Sequence, residues 1–430
     1  MGISKRAAAL AILLAAGCGD STAMPCSDDC STTGSVCDPV AGECVECLTD
    51  ADCAPSMTCA ARVCVPVEID AGRGMDAGPV TDGGVGDDGA IEPDAGTGTD
   101  AATYAATDAD AGPCDDACLC ARAAAAGATD GCEFWPVVTS NHLLQPEFGF
   151  GVLVANAQDV EAAVRIERAG SLVTSTTIGA GASTSIALPR VAALDGTTAS
   201  GASALVADGA YHLTSTVPVS VSQLFALEGR IAMDCARETT TDGECFAFTV
   251  DGSVLLPTQA LGTQYTVTSR PSQVVRLQDT FGGTIWFTAP GFVAIVAAET
   301  ATVTVTSSAH VAAGTGVTAM TPGAVRTFDL GRGDALQLVT VQVESCAPGA
   351  PSEDTGITVY TYCPQGPDYD LTGTTISATG RVQVVGGHDC AFVPFDKWAC
   401  DHIESTMLPD AAWGTRYAIA RTPAFAGEPN

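Results

Sequence analysis

Nineteen cysteines and five histidines are the residues of this 430-residue chain whose spacing most constrains their chemistry. Cys390 and Cys400 stand ten apart within residues 386–402 (GGHDCAFVPFDKWACDH), where His388 and His402 bracket them almost symmetrically. A Cys₂His₂ set of that kind could hold zinc. Cys235 and Cys245 repeat the ten-residue spacing, but no histidines match, since His212 lies in the strand-like residues 211–214. The paired placement therefore predicts two disulfides, Cys235 with Cys245 and Cys390 with Cys400, and makes Cys346 and Cys363 further disulfide candidates. Zinc on His388, Cys390, Cys400 and His402 stays as the alternative, and no cofactor is expected.

Catalytic patterns are wanting. The chain carries no nucleophile elbow, HExxH or phosphate loop, and its histidines form no visible triad. Gly84, Gly86 and Gly89 spell GxGxxG, but no strand precedes them and no helix follows. Arg332, Gly333 and Asp334 form an RGD after Gly331, which reads as a turn rather than an adhesion loop.

The cysteines also report the compartment. Lys5 and Arg6 precede ten apolar residues, 7–16, too few to span a bilayer and suited to the core of a secretory signal. Residues 14–18 (LAAGC) look like a bacterial lipobox, with Ala15 where a large apolar residue is usual. Residues 1–17 are thus expected to be cleaved, Cys18 lipidated, and residues 18–25 a tether. The chain would be held in the cell envelope, at the outer membrane and facing outward. The other eighteen cysteines are an even number, as an oxidising compartment favours. A balance of 18 basic against 50 acidic side chains, net −32, opposes binding to nucleic acid or bare anionic lipid.

Eight cysteines fall within residues 26–64 as two similar sets, Cys26, Cys30, Cys37, Cys44 and Cys47, Cys53, Cys59, Cys64. So short a segment buries little apolar surface, so disulfides must constrain it, and its spacing resembles Dickkopf-type cysteine-rich modules. Residues 65–113 are rich in Asp, Gly and Ala and too poor in apolar groups to order, which predicts a disordered spacer. Aspartate recurs every sixth residue there from Asp70 to Asp100; without an EF-hand spacing, this reads as solvated charge rather than a calcium site. Residues 114–132, with four cysteines around a short helix expected at 121–128, read as a bridged collar.

The elements that must position these residues are β-strands. Residues 256–265 (LPTQALGTQY) return 152 positions later as 408–417 (LPDAAWGTRY) with six identities and no gap, the mark of a duplicated unit. Apolar and polar residues alternate with period two as in 301–306 (ATVTVT) and 381–385 (RVQVV), and further strands are expected at 150–155, 163–167, 176–188 and 217–224, then at 284–288, 292–297, 324–330 and 336–343. The expected fold is all-β, with tandem antiparallel sandwich-like units at 133–256 and 257–408 and a propeller as runner-up. Residues 409–430 are expected to open a shortened third unit or to form a terminal strand.

Residues 370–374 (DLTGT), 382–390 (VQVVGGHDC), Cys400, Asp401, His402, Leu408, Pro409, Trp413 and Gly414 resemble the N-terminal domain of the IgGFc-binding protein family. Residues 150–156 and 211–223 (YHLTSTVPVSVSQ) resemble its first half, so the likeness covers roughly 133–430. It implies an interaction role and carries over no binding residues. The expected function is a non-enzymatic, lipid-anchored platform for a protein, glycan or matrix partner. The alternative is an exported hydrolase with an unrecognised active site.

Overall fold

The computed structural model describes residues 36–37, 44–45, 57–60, 63–66, 116–197, 201–231, 245–247, 249–398 and 400–416. They fall into two compact units, the first being Cys18–Asp110. In that unit two antiparallel hairpins are described, Val36–Cys37 with Cys44–Val45 and Met57–Ala60 with Val63–Pro66. Their registers set Cys37 opposite Cys44 and Cys59 opposite Cys64, so the third and fourth cysteines of each set close the same kind of hairpin.

The second unit holds everything described from residue 116 onward and is all-β apart from one short helix and three 3₁₀ turns. The helix is Asp116–Ala125, earlier than the sequence suggests. Gly127 stops it: at φ +62° its N–H bonds the Ala124 carbonyl while Ala128 N–H reaches Ala123, a Schellman end that glycine permits. A Cys120–Cys132 disulfide ties the helix to the strand Gly131–Phe134.

Most expected strands stand within a few residues of their alternating runs. Residues 176–188 are different, because Gly181 at φ +65° turns the chain and divides them between Ser171–Ile178 and Ser183–Leu188. A seven-stranded sheet is built on the long strand His212–Phe225, and a nine-stranded sheet on Thr375–Phe392. The sheets follow the two sequence units with one exception. Ser203–Val206 leaves its sequence neighbours and pairs with Ala335–Val339 in the nine-stranded sheet. A separate four-stranded sheet combines Gln273–Asp279, Thr284–Ala289, Ser352–Asp354 and Thr358–Tyr362.

Gly291–Ala297 explains how the large sheets share a core. All seven of its residues are buried, as a strand covered on both faces requires. Ala294 and Val296 join the cluster of the seven-stranded sheet, whereas Val293, Ile295 and Ala297 pack into the second cluster with Val303, Leu336 and Val384.

Between the sheets runs the unpaired segment 135–148, largely buried. Its backbone polar groups cannot reach water, so side chains must satisfy them. Three buried glutamines do so. Gln223 accepts from Val137 N–H at 3.0 Å, Gln337 accepts from Ser140 N–H at 3.0 Å, and Gln383 donates to the Trp135 carbonyl at 2.8 Å. Because these glutamines come from both large sheets, the segment joins the sheets through directional bonds as well as apolar packing.

The duplicated decapeptide has one local structure. Pro257 leads the 3₁₀ turn Thr258–Ala260 and Pro409 leads Asp410–Ala412, at φ,ψ of −68°, 156° and −60°, 146°. Each proline packs on a glycine that opens a strand: Pro257 on Gly131, and Pro409 on Gly262.

Candidate functional site

Residues 386–390 do separate jobs at the end of the long strand Thr375–Phe392. Gly386 and Gly387 let backbone approach, since a Cβ on either would sit 2.2 Å from the Thr268 or Ile403 carbonyl oxygen. Cys390 is bonded to Cys400, with Cα atoms 5.1 Å apart. Asp389, wholly buried, accepts from His142 N–H at 2.9 Å, from Ser140 Oγ at 3.0 Å and pairs with His142 Nδ1 at 2.6 Å. It therefore fixes segment 135–148 where the glutamines leave off.

His388 faces elsewhere, into a cleft of about 420 Å³. One wall is the run Arg270 to Gln273 leading into the four-stranded sheet; another is 363–367, tied down by the Cys346–Cys363 disulfide; Ala391 and Phe395 complete it. Prolines 271, 364 and 367 make much of the lining apolar and stiff. Phe395, on the lining, is 40% exposed, and Val393, two residues before it in the chain, is 67% exposed, so apolar surface adjoins an apolar hollow. Cys390 N–H donates to His388 Nδ1 at 3.1 Å, which places the neutral ring's hydrogen on Nε2. That nitrogen is buried and makes no hydrogen bond of good geometry, although the Pro271 carbonyl is close enough to favour the ring's protonated form. Burial pushes the His388 pKa down to about 3, against an opposing pull from Asp389, so the ring is neutral and a donor.

The cleft lining contains no carboxylate, and Ser272 Oγ is engaged with Thr340 Oγ1 at 2.6 Å and the Val341 carbonyl at 2.9 Å. Ser140, Asp389 and His142 are the right residue types for a triad, but Ser140 Oγ donates to Asp389 rather than to an imidazole, so no base activates it. Burial would lower the His142 pKa, yet the Asp389 charge raises it on balance. Asp389, which burial alone would raise, is lowered by His142. His402 behaves alike: burial opposes its charge, and a hydrogen bond with Glu404 raises its pKa. Glu404 also accepts from Thr139 Oγ1 at 2.7 Å and from Gln223 Nε2 at 2.9 Å. These hydrogen-bonded pairs tie segment 135–148 to both large sheets.

The other singled-out residues can now be placed. Cys18 and Cys235 lie outside the described residues; Cys245 is disulfide-bonded, and its partner is not among them. His388 and His402 part company, one to the cleft and one stacked on Phe292 at 5.7 Å, and the disulfide consumes both nearby thiolates. Among the described residues no His, Cys, Asp or Glu group could hold a metal. In the RGD, Gly333 at φ +88° makes a turn, Asp334 accepts from Gly331 and Asp208 N–H, and Arg332 lies 4.7 Å over the Trp135 ring and pairs with Glu133. Arg270, Gln273 and Phe395 were missed by sequence reasoning; the available signal was proline clustering in the segments flanking 386–390.

The family model described as IgGFc binding protein matches residues 251–430. The match takes in the cleft, the four-stranded sheet and the nine-stranded sheet apart from Ser203–Val206, while residues 150–156 and 211–223 lie outside it. The chain is similar to the human IgGFc-binding protein, 29% identical over 174 residues, which is 40% of this chain and 2% of that protein. The chain thus spans a very small share of that relative's length. No solved structure matches the chain.

Proposed function

We propose that this chain is an exported, non-enzymatic binding platform, anchored by lipid at Cys18 to the outer membrane and facing outward, that engages an extracellular protein partner. The observation that carries the reading is the cleft, whose lining includes the exposed Phe395, with exposed Val393 two residues before it in the chain. Likeness to a family named for Fc binding supports an extracellular protein as the partner. The apolar run 7–16 and the LAAGC ending support export and anchorage. Several acyl chains on Cys18 would suffice for stable attachment where one is marginal.

The test uses the full chain on a sensor surface, with immunoglobulin Fc and mucin as analytes. Saturable binding of at least one, lost in a Val393→Glu, Phe395→Glu double variant that melts normally, supports the reading. Binding unchanged in that variant would remove the cleft from the account, and binding to neither analyte would remove the platform.

A further inference from the structure

We propose that the cleft captures the free carboxyl end of a protein partner, with an apolar last side chain seated inside. The inference rests on the platform reading above and supplies the chemistry of its ligand.

Arg270 is the first observation. It lines the cleft and makes no side-chain hydrogen bond or ion pair among the described residues. In a chain with 50 acidic against 18 basic side chains, Arg165, Arg190, Arg332 and Arg381 each reach a carboxylate of the protein. An arginine left unpaired at a cavity that contains no acidic residue is placed for an anion from outside, and its planar fork suits a carboxylate. His388 is the second. Its ring lines the cleft, and its buried Nε2–H, held by no more than a weak contact with the Pro271 carbonyl, supplies a second donor that is uncharged. A purely apolar ligand would dehydrate both groups and satisfy neither.

The rest of the cavity sets what the carboxylate is attached to. Pro271, Pro364, Pro367, Ala391 and Phe395 offer apolar walls, which match an apolar side chain. Its volume of about 420 Å³ falls among small-ligand sites of roughly 300–1,000 Å³. A peptide, unlike a free acid, continues outward, and the exposed Phe395 of the lining, with exposed Val393 two residues before it in the chain, offers apolar surface for its preceding residues. Carboxyl-end capture is a recurring mode of peptide recognition.

The experiment measures fluorescence anisotropy of the full chain with a labelled hexapeptide pool, randomised at four positions and ending in an apolar residue, as free acid and as amide. Decanoate serves as competitor. The acid pool should bind at least about tenfold more tightly than the amide. Arg270→Gln should abolish that gap, and Arg270→Lys should restore part of it. Both variants should melt as the wild type does, since Arg270 is only half-buried. Equal binding of acid and amide, a gap that survives Arg270→Gln, or no binding of either pool overturns the proposal. Decanoate that displaces the peptide and still binds when Val393→Glu charges the adjoining surface would assign the cleft to a lipid acid and overturn it likewise. If the pools fail while Fc or mucin still binds and the double variant still abolishes it, the carboxylate falls and the platform stands. If that binding is also absent, both fall.

Discussion

Pro409 occupies the space that a side chain on Gly262 would need: a Cβ there would lie 2.4 Å from the proline Cβ. The same relationship joins Pro257 to Gly131 at 2.3 Å, so the turn that ends one β unit is seated on the strand that opens it. Neither glycine has a positive φ, and the requirement is space alone.

Gly262→Ala is therefore expected to destabilise the β unit by about 1–3 kcal/mol through overpacking. Gly149→Ala, at ordinary φ with nothing within 4 Å of the added carbon, is the control and should change little. Thermal denaturation of both variants checks this, and equal melting temperatures would show that the proline moves aside freely.

The tandem β architecture was legible because strand alternation and the LP repeat are local patterns. Residues 301–306 alternate and 150–155 are a short apolar run, and the strands Ala301–Thr306 and Phe150–Ala155 coincide with them. What joins the units was not legible. Segment 135–148 has neither period, because side chains far away in sequence satisfy its backbone, and a glutamine carries no mark of whether it will be buried. The strand Ser203–Val206 is only four residues long, and its partners lie at 314–315 and 335–337. The cleft draws on three segments spread over residues 270–395, each of which reads alone as a proline-containing loop.

Gln223 tests whether buried polar bonds couple the sheets. Gln223→Leu would strand the Val137 N–H and remove a donor from the buried Glu404 carboxylate. The expected loss is roughly 3 kcal/mol, since unsatisfied buried groups cost about 1–3 kcal/mol each, and more where one is charged. Chemical denaturation measures it. A loss under about 1 kcal/mol would mean that apolar packing alone joins the sheets.

Stability should peak near pH 6.5, the unperturbed histidine value of about 6.5. His142 and His402 have raised folded pKa values, so their contributions are full below that pH and fade as pH rises through the raised values. His388 is lowered to about 3, so its contribution is full above pH 6.5 and is lost progressively as pH falls towards 3. Each group changes stability by up to about 1.4 kcal/mol per pH unit within its window. Asp389, also lowered, adds to the loss on the acid side only below its ordinary range near 4. Melting temperatures from pH 4 to 9 should show both limbs. His388→Gln should flatten the acid limb and Asp389→Asn the alkaline one, whatever each does to absolute stability. Unchanged slopes would contradict these assignments.

The most direct test of the central claim, that the cleft and its adjoining apolar surface are the binding face, places a photocrosslinking amino acid at Val393, at Phe395 or, as control, at the exposed Val325 of the full-length chain on cells exposed to extracellular fluid. The account predicts one discrete protein adduct from both Val393 and Phe395 and none from Val325. An adduct from Val325 with none from Val393 or Phe395 would contradict it.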